Sequence, residues 1–435
     1  MTVAKAALRW PHVAGLGVAL VVAGQFSGWN YGLASGWANM VVATMLMALL
    51  CFGLALCLSE LSAAQPHAGG MYVYCAEAFG PFVGSAVGCA VFVALAIGTG
   101  AASEFVSAYA SHVLGFGGWH LKIALFSVIL ALHLRGVGEA MRLMMAAGVL
   151  AILGILLFDI ALLPNFDPAN LTRGGEGLHV DARGVFACIP YAIWLFISVE
   201  QSAAASEEVG DPARDMPRGI LVAIVTLLVS ALGVLVLGVG AGGIERLGDA
   251  ADPLYAAMAG GRGVPHWIVA VVGSSGILGL IATVFSLIYA ASRQIFALAR
   301  DGFMPAILAR TNRFASPHVA LLSIGAIGLA ASAVPPDRIL LAVVLLLSGS
   351  YVVLLAAFIR LRLTRPDAVR PFRAWGGVPM ASLCLLLAAG LFLACFRADA
   401  RVLIGLCLLI ALAAGNHLIR RHRAPDPIER IVDVV

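Results

Sequence analysis

Hydrophobic stretches long enough to cross a bilayer dominate the chain and alternate with short polar loops. Windows of about 20 residues predict twelve spans and no separate soluble domain. The predicted spans cover residues 13–38, 40–63, 81–111, 121–137, 142–163, 184–206, 218–242, 266–292, 317–334, 338–361, 378–396 and 400–418. This pattern predicts an all-α membrane protein.

Polar residues and glycines interrupt two of the predicted spans, the first and the sixth. The first carries GQFSGWNYG at residues 24–32, and the sixth carries WLFISVEQS at residues 194–202. Backbone polar groups do not stay unpaired in hydrocarbon, so these residues indicate helices that break where protein or a ligand satisfies the freed groups. We therefore expect a binding site at the two breaks.

The composition excludes a soluble globular protein. The chain has 435 residues, of which 61% are hydrophobic and 11% charged, with a mean hydropathy of +0.99; soluble domains carry about 25% charged residues. Lys5 and Arg9 precede a hydrophobic segment that is too long for a removable signal, so we expect the first span to be retained. The eight cysteines lie in or beside apolar segments without a CxxC pair and are interpreted as packing residues.

Positive charge is distributed unequally between the two sides of the predicted membrane. Of the 27 lysines and arginines, 19 fall on the side that carries both termini and 8 on the other. The positive-inside rule therefore predicts cytoplasmic termini. The net charge of +4 is explained by this topology, and a nucleic-acid surface is not expected.

Motifs of other function classes are weak or missing. The chain has no HExxH, no GxSxG and no paired intramembrane aspartates, so we expect neither an enzyme nor a metal site nor a cofactor. A GxGxxG match at Gly238, Gly240 and Gly243 ends a hydrophobic span and does not follow a strand. A membrane sensor or channel is disfavoured because neither a signalling domain nor a pore-lining ring is visible.

Five spans separate the starts of the two interrupted segments. A unit with an odd number of spans, repeated once, has opposite orientations in the membrane. This predicts inverted repeats at residues 1–163 and 164–363, with the last two spans and a cytoplasmic tail at 364–435. These last spans would serve packing or dimerisation, and both a monomer and a homodimer remain open.

Three separated motifs carry a resemblance to a known family. They are ELSAAQPHAGGMYVYCAEAFGPFVG at 60–84, WLFISVEQSAAASEEVGDPARDMPRG at 194–219 and SRQIFALARDGFMP at 292–305. The chain resembles the amino acid, polyamine and organocation (APC) transporter superfamily. The resemblance implies a LeuT-like fold of two inverted five-helix repeats in which helices 1 and 6 are broken.

Within this superfamily, FSGWNYGL, SEF and IWLFISVEQ are most similar to ethanolamine permeases. The resemblance implies a secondary transporter of the bacterial inner membrane that imports ethanolamine or a similarly small primary amine by alternating access. The coupling ion would be H⁺ or Na⁺. The alternative is an amino acid permease or exchanger of the same superfamily.

The break in the first span supplies the first group of predicted substrate-binding residues, Gln25, Ser27, Gly28 and Trp29. A broken helix exposes the carbonyl end of one half and the amide end of the other. Carbonyl ends attract a cation, and amide ends attract an anion or a hydroxyl lone pair. Ethanolamine offers a hydroxyl to the amide end, so its binding would depend more on the ammonium group.

Glu200 is the main candidate for binding the ammonium and for proton coupling, because an ionisable residue at mid-membrane is costly and usually faces a cavity. By resemblance it is the glutamate of the span-six motif, in which a glycine commonly stands two residues earlier. Ser198 takes that position here and is also predicted to contact substrate. The alternative is that Glu200 only ties broken backbone amides together.

Other polar and aromatic residues are assigned by position. Trp194 and Phe196 precede the second break and are predicted to contact substrate and to gate the site, with packing as the alternative. Cation–π attraction to an ammonium would supply about 0.5–2 kcal/mol. Glu104 in the third span could pair with the ammonium, attract cations into an outer vestibule or reach the interface, whereas Asp159 is interpreted as interfacial.

Thr283 and Ser286 lie on one face of the eighth span. The resemblance makes them candidates for a sodium site, whereas hydrogen bonds to backbone are the alternative. Proton-coupled relatives can carry a lysine in the fifth span, but Lys5 and Lys122 are the only lysines of this chain. That mechanism is therefore excluded, and Glu200 remains the candidate proton carrier.

The loop after the sixth span alternates acidic and basic residues. Glu207, Glu208, Asp211 and Arg214 are expected to form ion pairs that change between inward-open and outward-open states. Surface pairs of this kind contribute about 0–1 kcal/mol each. Their predicted role is to bias an equilibrium between the two states.

Overall fold

The protein is a bundle of α-helices. A computed structural model describes residues 8–67, 69–136, 138–172, 178–260 and 263–396, and over these residues the one β contact is an isolated bridge between Leu8 and Val209. The α-helices are α1 (Trp10–Phe26), α2 (Trp37–Ala64), α3 (Met71–Phe79), α4 (Pro81–Val113), α5 (Trp119–Arg135), α6 (Gly138–Leu162), α7 (Ala182–Ala192), α8 (Pro212–Gly233), α9 (Val239–Gly242), α10 (Ile244–Gly248), α11 (Pro253–Gly260), α12 (His266–Arg300), α13 (His318–Ala331), α14 (Pro336–Thr364) and α15 (Gly377–Cys395).

Among the described residues, eight helical segments are long and apolar enough to cross a membrane, and a bent pair of helices makes a ninth. Each span predicted before residue 396 coincides with helix, although α5 and α13 have only 17 and 14 residues. A bilayer crossing requires about 20 residues. The all-α prediction is confirmed, whereas the predicted span at 400–418 lies outside the described residues and the total of twelve stays a prediction.

α1 lies in the middle of the bundle, between α6, α8 and α12. Helices in a bilayer gain no hydrophobic driving force from one another, so close packing of small residues holds them together. A Cβ added at Gly17 would lie 2.8 Å from the side chain of Ala223 on α8, and one at Gly279 of α12 would lie 2.6 Å from Ala151 on α6. The short side chains therefore set the helix separations around α1.

The first predicted break is present. α1 ends at Phe26, Ser27 has extended backbone angles, and Gly28 has φ of 97°. A 3₁₀ segment, Trp29–Ser35, continues the path at an angle of 43° to α1. The positive φ explains the glycine, because a side chain with a Cβ is disfavoured there.

The second predicted break is also present. α7 gives way to a short 3₁₀ turn, Ile193–Leu195, and a longer 3₁₀ segment, Val199–Glu208, follows. Between them Ser198 has φ of 79°, in the left-handed region that only glycine adopts without strain. The serine at the position of the superfamily's glycine therefore retains a glycine conformation.

A buried ion cluster joins distant parts of the chain. Glu60 on α2 is 2% exposed and accepts hydrogen bonds of 2.8 and 2.6 Å from Arg362 at the end of α14. Arg370 approaches the same carboxylate at 3.1 Å, and the Ala374 amide donates to it at 2.7 Å. Because both oxygens are paired, this buried charge fixes the loop after α14 against α2.

We expect Ser198→Gly to raise the thermal stability of the purified protein. The left-handed conformation costs a residue with a Cβ about 1–2 kcal/mol, part of which the greater freedom of glycine in the unfolded chain offsets. A net gain of about 0.5–1 kcal/mol is expected, measured by thermal unfolding in detergent. Ser198→Ala is the control, since it keeps the Cβ; an equal gain in both variants would contradict the strain.

Candidate functional site

A small cavity lies where the second break meets α1. It has a volume of 30 Å³, room for about one or two water molecules. α1, α4, α12 and α14 contribute to its walls, and Gly24, Trp194, Ser198 and Thr283 are among its lining residues. The structure thus brings together residues from both breaks and from the predicted ion site.

A larger cavity lies elsewhere in the bundle. It has a volume of 640 Å³ and is formed by α2, α3, α14 and the loop that follows α14. Glu60, Glu77, Arg362 and Arg365 lie in its walls. It contains none of the predicted substrate-binding residues, so the small cavity at the breaks is the better candidate.

Trp194 packs directly against the first break. A Cβ at Gly24 would overlap the Trp194 carbonyl oxygen, and a Cβ at Gly28 would lie 2.5 Å from the indole Nε1. The two glycines therefore provide the space that Trp194 occupies. Its Nε1 is buried and has no hydrogen-bond partner among the described residues, whereas Phe196 is fully buried by packing.

Side-chain donors bond several of the backbone carbonyl groups that the two helix breaks leave without a partner in their own helix. Nε2 of Gln25 donates to the Leu195 carbonyl at 2.7 Å and to the Leu227 carbonyl at 3.4 Å. The Trp29 indole donates to the Gln25 carbonyl at 3.2 Å. Oε1 of Gln25 is buried without a partner within the described ranges. One acceptor at the first break is therefore free.

Glu200 is buried, at 1% exposed, and its carboxylate is only half used. Oε1 accepts hydrogen bonds from Tyr351 at 2.7 Å and from Gln201 at 3.0 Å. Oε2 is buried and finds no partner in the described part of the chain. Glu200 follows Ser198 by two residues but is not itself among the residues that line the small cavity.

Tyr351 on α14 is a site residue that the sequence interpretation missed. It is fully buried, and its hydroxyl group holds the Glu200 carboxylate. The one available signal was the polar run SGSY at 348–351, inside the otherwise apolar tenth predicted span.

The two hydroxyl residues on α12 have different surroundings. Thr283 donates to the Ala19 carbonyl at 2.7 Å and accepts from the Ala23 amide at 3.2 Å, so it ties α12 to α1. Ser286 is fully buried, and its Oγ has no partner among the described residues. The hydrogen-bonding alternative therefore describes Thr283, and Ser286 retains a free oxygen.

Glu104 lies apart from the small cavity and already has a cationic partner. Nζ of Lys122 lies 2.7 Å from its carboxylate, 3.1 Å from the Ser332 carbonyl and 4.3 Å from the centre of the Trp119 ring. The Lys122 side chain is buried, and the Glu104 side chain is about one-third exposed. A substrate ammonium would have to displace Lys122 to pair with this glutamate.

The segment around α10 and α11 covers the first break at the end predicted to face outward. Ser27 donates to the Ala251 carbonyl at 2.7 Å, and Asn30 donates to the Leu247 carbonyl at 2.7 Å and the Ala250 carbonyl at 2.9 Å. We call residues 243–260 the lid. The broken helix itself holds the lid in place.

An acid–histidine pair also fastens the lid. Nδ1 of His112, at the end of α4, lies 2.5 Å from the Asp252 carboxylate, and the His112 ring stacks on Tyr255 with centroids 5.0 Å apart. Burial raises the pKa of Asp252, and His112 lowers it in part. The lid therefore connects the first break to α4.

Ion pairs close the opposite end of the bundle. Glu207 pairs with Arg300 at 3.2 Å, and Glu208 pairs with Arg293. Tyr72 donates to Asp301 at 2.5 Å. The two glutamates after the second break are thus bound to α12.

The other two residues of the predicted ion-pair set, Asp211 and Arg214, interact with each other locally. Asp211 accepts from the Arg214 amide at 3.3 Å and so caps α8. The ion pairs expected from this loop therefore form through Glu207 and Glu208, with partners on a distant helix.

Both ends of the bundle are closed, and several predicted site residues hold buried polar atoms without a partner among the described residues. Among the predicted site residues, the buried polar atoms without a partner in the described ranges are Oε1 of Gln25, Oε2 of Glu200, the hydroxyl of Ser286 and the Trp194 indole N–H. A buried polar atom without a partner is costly. Such a set suits a small polar solute that carries a positive charge and a hydrogen-bond acceptor.

Comparison with known proteins gives one family and several relatives. Residues 9–412 match the family described as amino acid permease. The branched-chain amino acid permease BcaP of Bacillus subtilis (strain 168) is 23% identical over 391 residues, which cover 85% of this chain and 83% of the relative. The methylthioribose transporter of the same organism is 26% identical over 297 residues, 63% of this chain and 62% of the relative. The polyamine transporter PUT1 of Oryza sativa subsp. japonica is 26% identical over 329 residues, 73% of this chain and 60% of the relative.

These relatives are permeases and transporters, which confirms that the protein is not an enzyme. The apolar helices of the described residues agree with a multi-pass membrane protein. The family match extends over most of the sequence. The chain therefore belongs to the amino acid permease family of the APC superfamily.

Proposed function

We propose that the protein imports ethanolamine or a similarly small primary amine across the bacterial inner membrane by alternating access. It would do so with a LeuT-like fold of twelve helices, inverted repeats at 1–163 and 164–363, two further spans in 364–435 and cytoplasmic termini. The observation that carries the proposal is the buried Glu200 carboxylate, which lies beside the second break and keeps Oε2 unpaired.

An ethanolamine molecule matches the unused polar atoms. Its ammonium group donates hydrogen bonds, for which Glu200 and the free Oε1 of Gln25 are acceptors. Its hydroxyl oxygen can accept a bond from the Trp194 indole, whose ring also attracts the ammonium. A charge-assisted bond to a buried carboxylate is about twice as strong as a neutral one, so Glu200 dominates the recognition.

Alternating access would use the contacts that close the two ends. The 30 Å³ cavity must widen to admit even so small a solute, and a shift of the lid or of Trp194 would open it. At the opposite end, the Glu207–Arg300 and Glu208–Arg293 pairs would separate. The Glu207–Arg300 pair is the more exposed of the two, and pairs of that kind contribute about 0–1 kcal/mol.

H⁺ is the better-supported coupling ion. Glu200 can carry a proton on Oε2 while Tyr351 holds Oε1. For Na⁺, the Thr283 hydroxyl is already engaged with α1 and Ser286 alone is free. Protonation of Glu200 would neutralise the partner of the ammonium, so a proton and the amine would compete for this carboxylate and uptake would weaken as the pH falls.

An amino acid permease or exchanger is the alternative, and the branched-chain amino acid permease of Bacillus subtilis favours it by name. An amino acid would place its carboxylate at the amide end of the first break. There the Gly28 amide already donates to Asn30 at 3.0 Å and the Ser27 amide to the Ala23 carbonyl at 3.0 Å. These two hydrogen bonds would have to break before the amides could bind a substrate carboxylate. An amine has no carboxylate, so its binding leaves them intact.

Competition for uptake separates the two substrate classes. Proteoliposomes containing the purified protein are expected to accumulate labelled ethanolamine, and excess unlabelled ethanolamine should abolish the signal. Alanine and serine are expected to compete weakly, because the amide end is occupied. Equal competition by alanine or serine would replace the amine with an amino acid as substrate.

Glu200→Gln is expected to reduce the initial rate of ethanolamine uptake by at least about tenfold, since the loss of a charge-assisted bond costs about 1.5–3 kcal/mol. The remaining uptake should also lose its dependence on pH. Tyr351→Phe should give a smaller reduction, because Gln201 still bonds the carboxylate. Glu77→Gln, which removes only the partly exposed partner of Arg365, is the control; normal uptake by Glu200→Gln at every pH would remove Glu200 from the mechanism.

Trp194 can be tested with a pair of variants that separate its ring from its N–H group. Trp194→Ala is expected to raise the KM for ethanolamine about 2–30-fold, as the cation–π energy of about 0.5–2 kcal/mol predicts. Trp194→Phe keeps an aromatic ring, so its KM for ethanolamine should lie between those of the wild type and Trp194→Ala. Trp267→Ala, at an exposed position on α12, is the control; unchanged KM in Trp194→Ala would make Trp194 a packing residue.

A further inference from the structure

A second acidic side chain with one oxygen unpaired among the described residues lies inside the bundle, on a different element from Glu200. Asp159, near the end of α6, is 8% exposed. Its Oδ1 is buried without a hydrogen-bond partner, and no lysine, arginine or histidine of the described residues forms an ion pair with it. The Asp159 side chain is therefore buried between helices, and its predicted depth near the membrane interface stays a prediction.

A glycine on the neighbouring helix makes room for this carboxylate. A Cβ at Gly233, the last residue of α8, would overlap Oδ2 of Asp159 and lie 2.8 Å from its Cγ. Any side chain at 233 would thus fill the space that the carboxylate occupies. The carboxylate and the α8 backbone are in direct contact.

Besides Oδ1 of Asp159, the Ser230 hydroxyl is unpaired among the described residues, and it lies on the face of α8 that carries Gly233. Ser230 precedes Gly233 by three residues, about one helical turn, and side chains at this spacing share a face. Ser230 is 3% exposed, and its Oγ has no partner in the described part of the chain. Immediately after Gly233 the backbone forms a π-helical turn, Val234–Gly238, an irregularity that occurs frequently at functional sites.

Burial of a carboxylate in a membrane protein is costly unless a cation or hydrogen bonds compensate it. The helices α1, α8, α11 and α12 pack against α6. Near Asp159, their titratable groups among the described residues are Tyr255 on α11 and His266 at the start of α12. His266 is exposed, and Tyr255 stacks on His112. The charged and titratable groups of α1 and α8 lie near the opposite end of the bundle, at His12 and from Arg214 to Arg218.

We infer that Asp159 and Ser230 form a binding site for one monovalent inorganic cation, a proton or Na⁺, at the contact between α6 and α8. The cation neutralises the carboxylate, and the Ser230 hydroxyl provides a second oxygen for Na⁺ or a hydrogen bond to a protonated or charged carboxyl group. Gly233 keeps the space open. The site is independent of Glu200 and of the substrate that the proposed function assigns.

Cation binding to the purified full-length protein tests this site without reference to transport. Thermal unfolding is measured in NaCl and in choline chloride at equal ionic strength, over a pH series, together with binding of radioactive Na⁺. A sodium site should give bound Na⁺ and a Tm about 2–5 °C higher in NaCl. A proton site should give no sodium effect and a Tm that rises as the pH falls.

Asp159→Asn is expected to lose the sodium response, or the part of the pH response that persists in Glu200→Gln, and Gly233→Ala should weaken the same response by displacing the carboxylate. Glu200→Gln should keep the sodium response, or the share of the pH response that belongs to Asp159, which separates the two acids. Thr226→Val is the matched control on α8, because the Thr226 hydroxyl already bonds the Val222 carbonyl of its own helix.

Equal sodium binding and an equal pH response in wild type and Asp159→Asn overturn the inference. Loss of the response in Thr226→Val also overturns it, because the effect would then belong to α8 in general. If Asp159→Asn does not fold, Ser230→Ala and Gly233→Ala decide the question. Unchanged responses in both variants overturn the site, and a weakened response in either supports it.

Discussion

Hydrocarbon offers no hydrogen bond to a freed backbone group, and this constraint determines how the interrupted helices are built. Every break in a spanning helix must be compensated by protein or by a ligand. At the first break, Asn30 and Ser27 bond the lid, and Gln25 bonds the backbone of the second break. Side-chain hydrogen bonds therefore tie the first interruption both to the second and to the lid.

Close packing of the two breaks depends on residues without side chains. Gly24 and Gly28 let Trp194 lie directly on α1, and Gly233 accommodates the carboxylate of Asp159 in a similar way. In both places a glycine creates a space that a polar or aromatic side chain from another helix fills. Small residues here position functional groups as well as holding helices together.

The sequence was sufficient to predict the helices and the two breaks, because polar residues cluster with glycines inside an apolar span chiefly where a membrane helix is interrupted. It also led to Glu200 as a buried acid. It did not lead to Tyr351 or to the pairing of Lys122 with Glu104, since each contact joins helices whose relative rotation depends on packing. Side-chain partners of this kind have no local signature.

Burial of Asp159 was likewise not predictable. Its position near the end of a span suggested an interfacial residue, and only the glycine on α8 shows why the carboxylate turns inward. The resemblance placed Ser198 where the family commonly has glycine, and the structure shows that its backbone adopts a left-handed conformation there.

The cluster around Glu60 has a consequence for the synthesis of the protein. Its carboxylate and the guanidinium of Arg362 are 302 residues apart in the chain. At about 5–20 residues per second, translation of this interval takes roughly 15–60 s. During that time α2 must enter the membrane with an acidic group whose partner does not yet exist, so the final docking of α2 waits until α14 and the loop behind it have emerged from the ribosome.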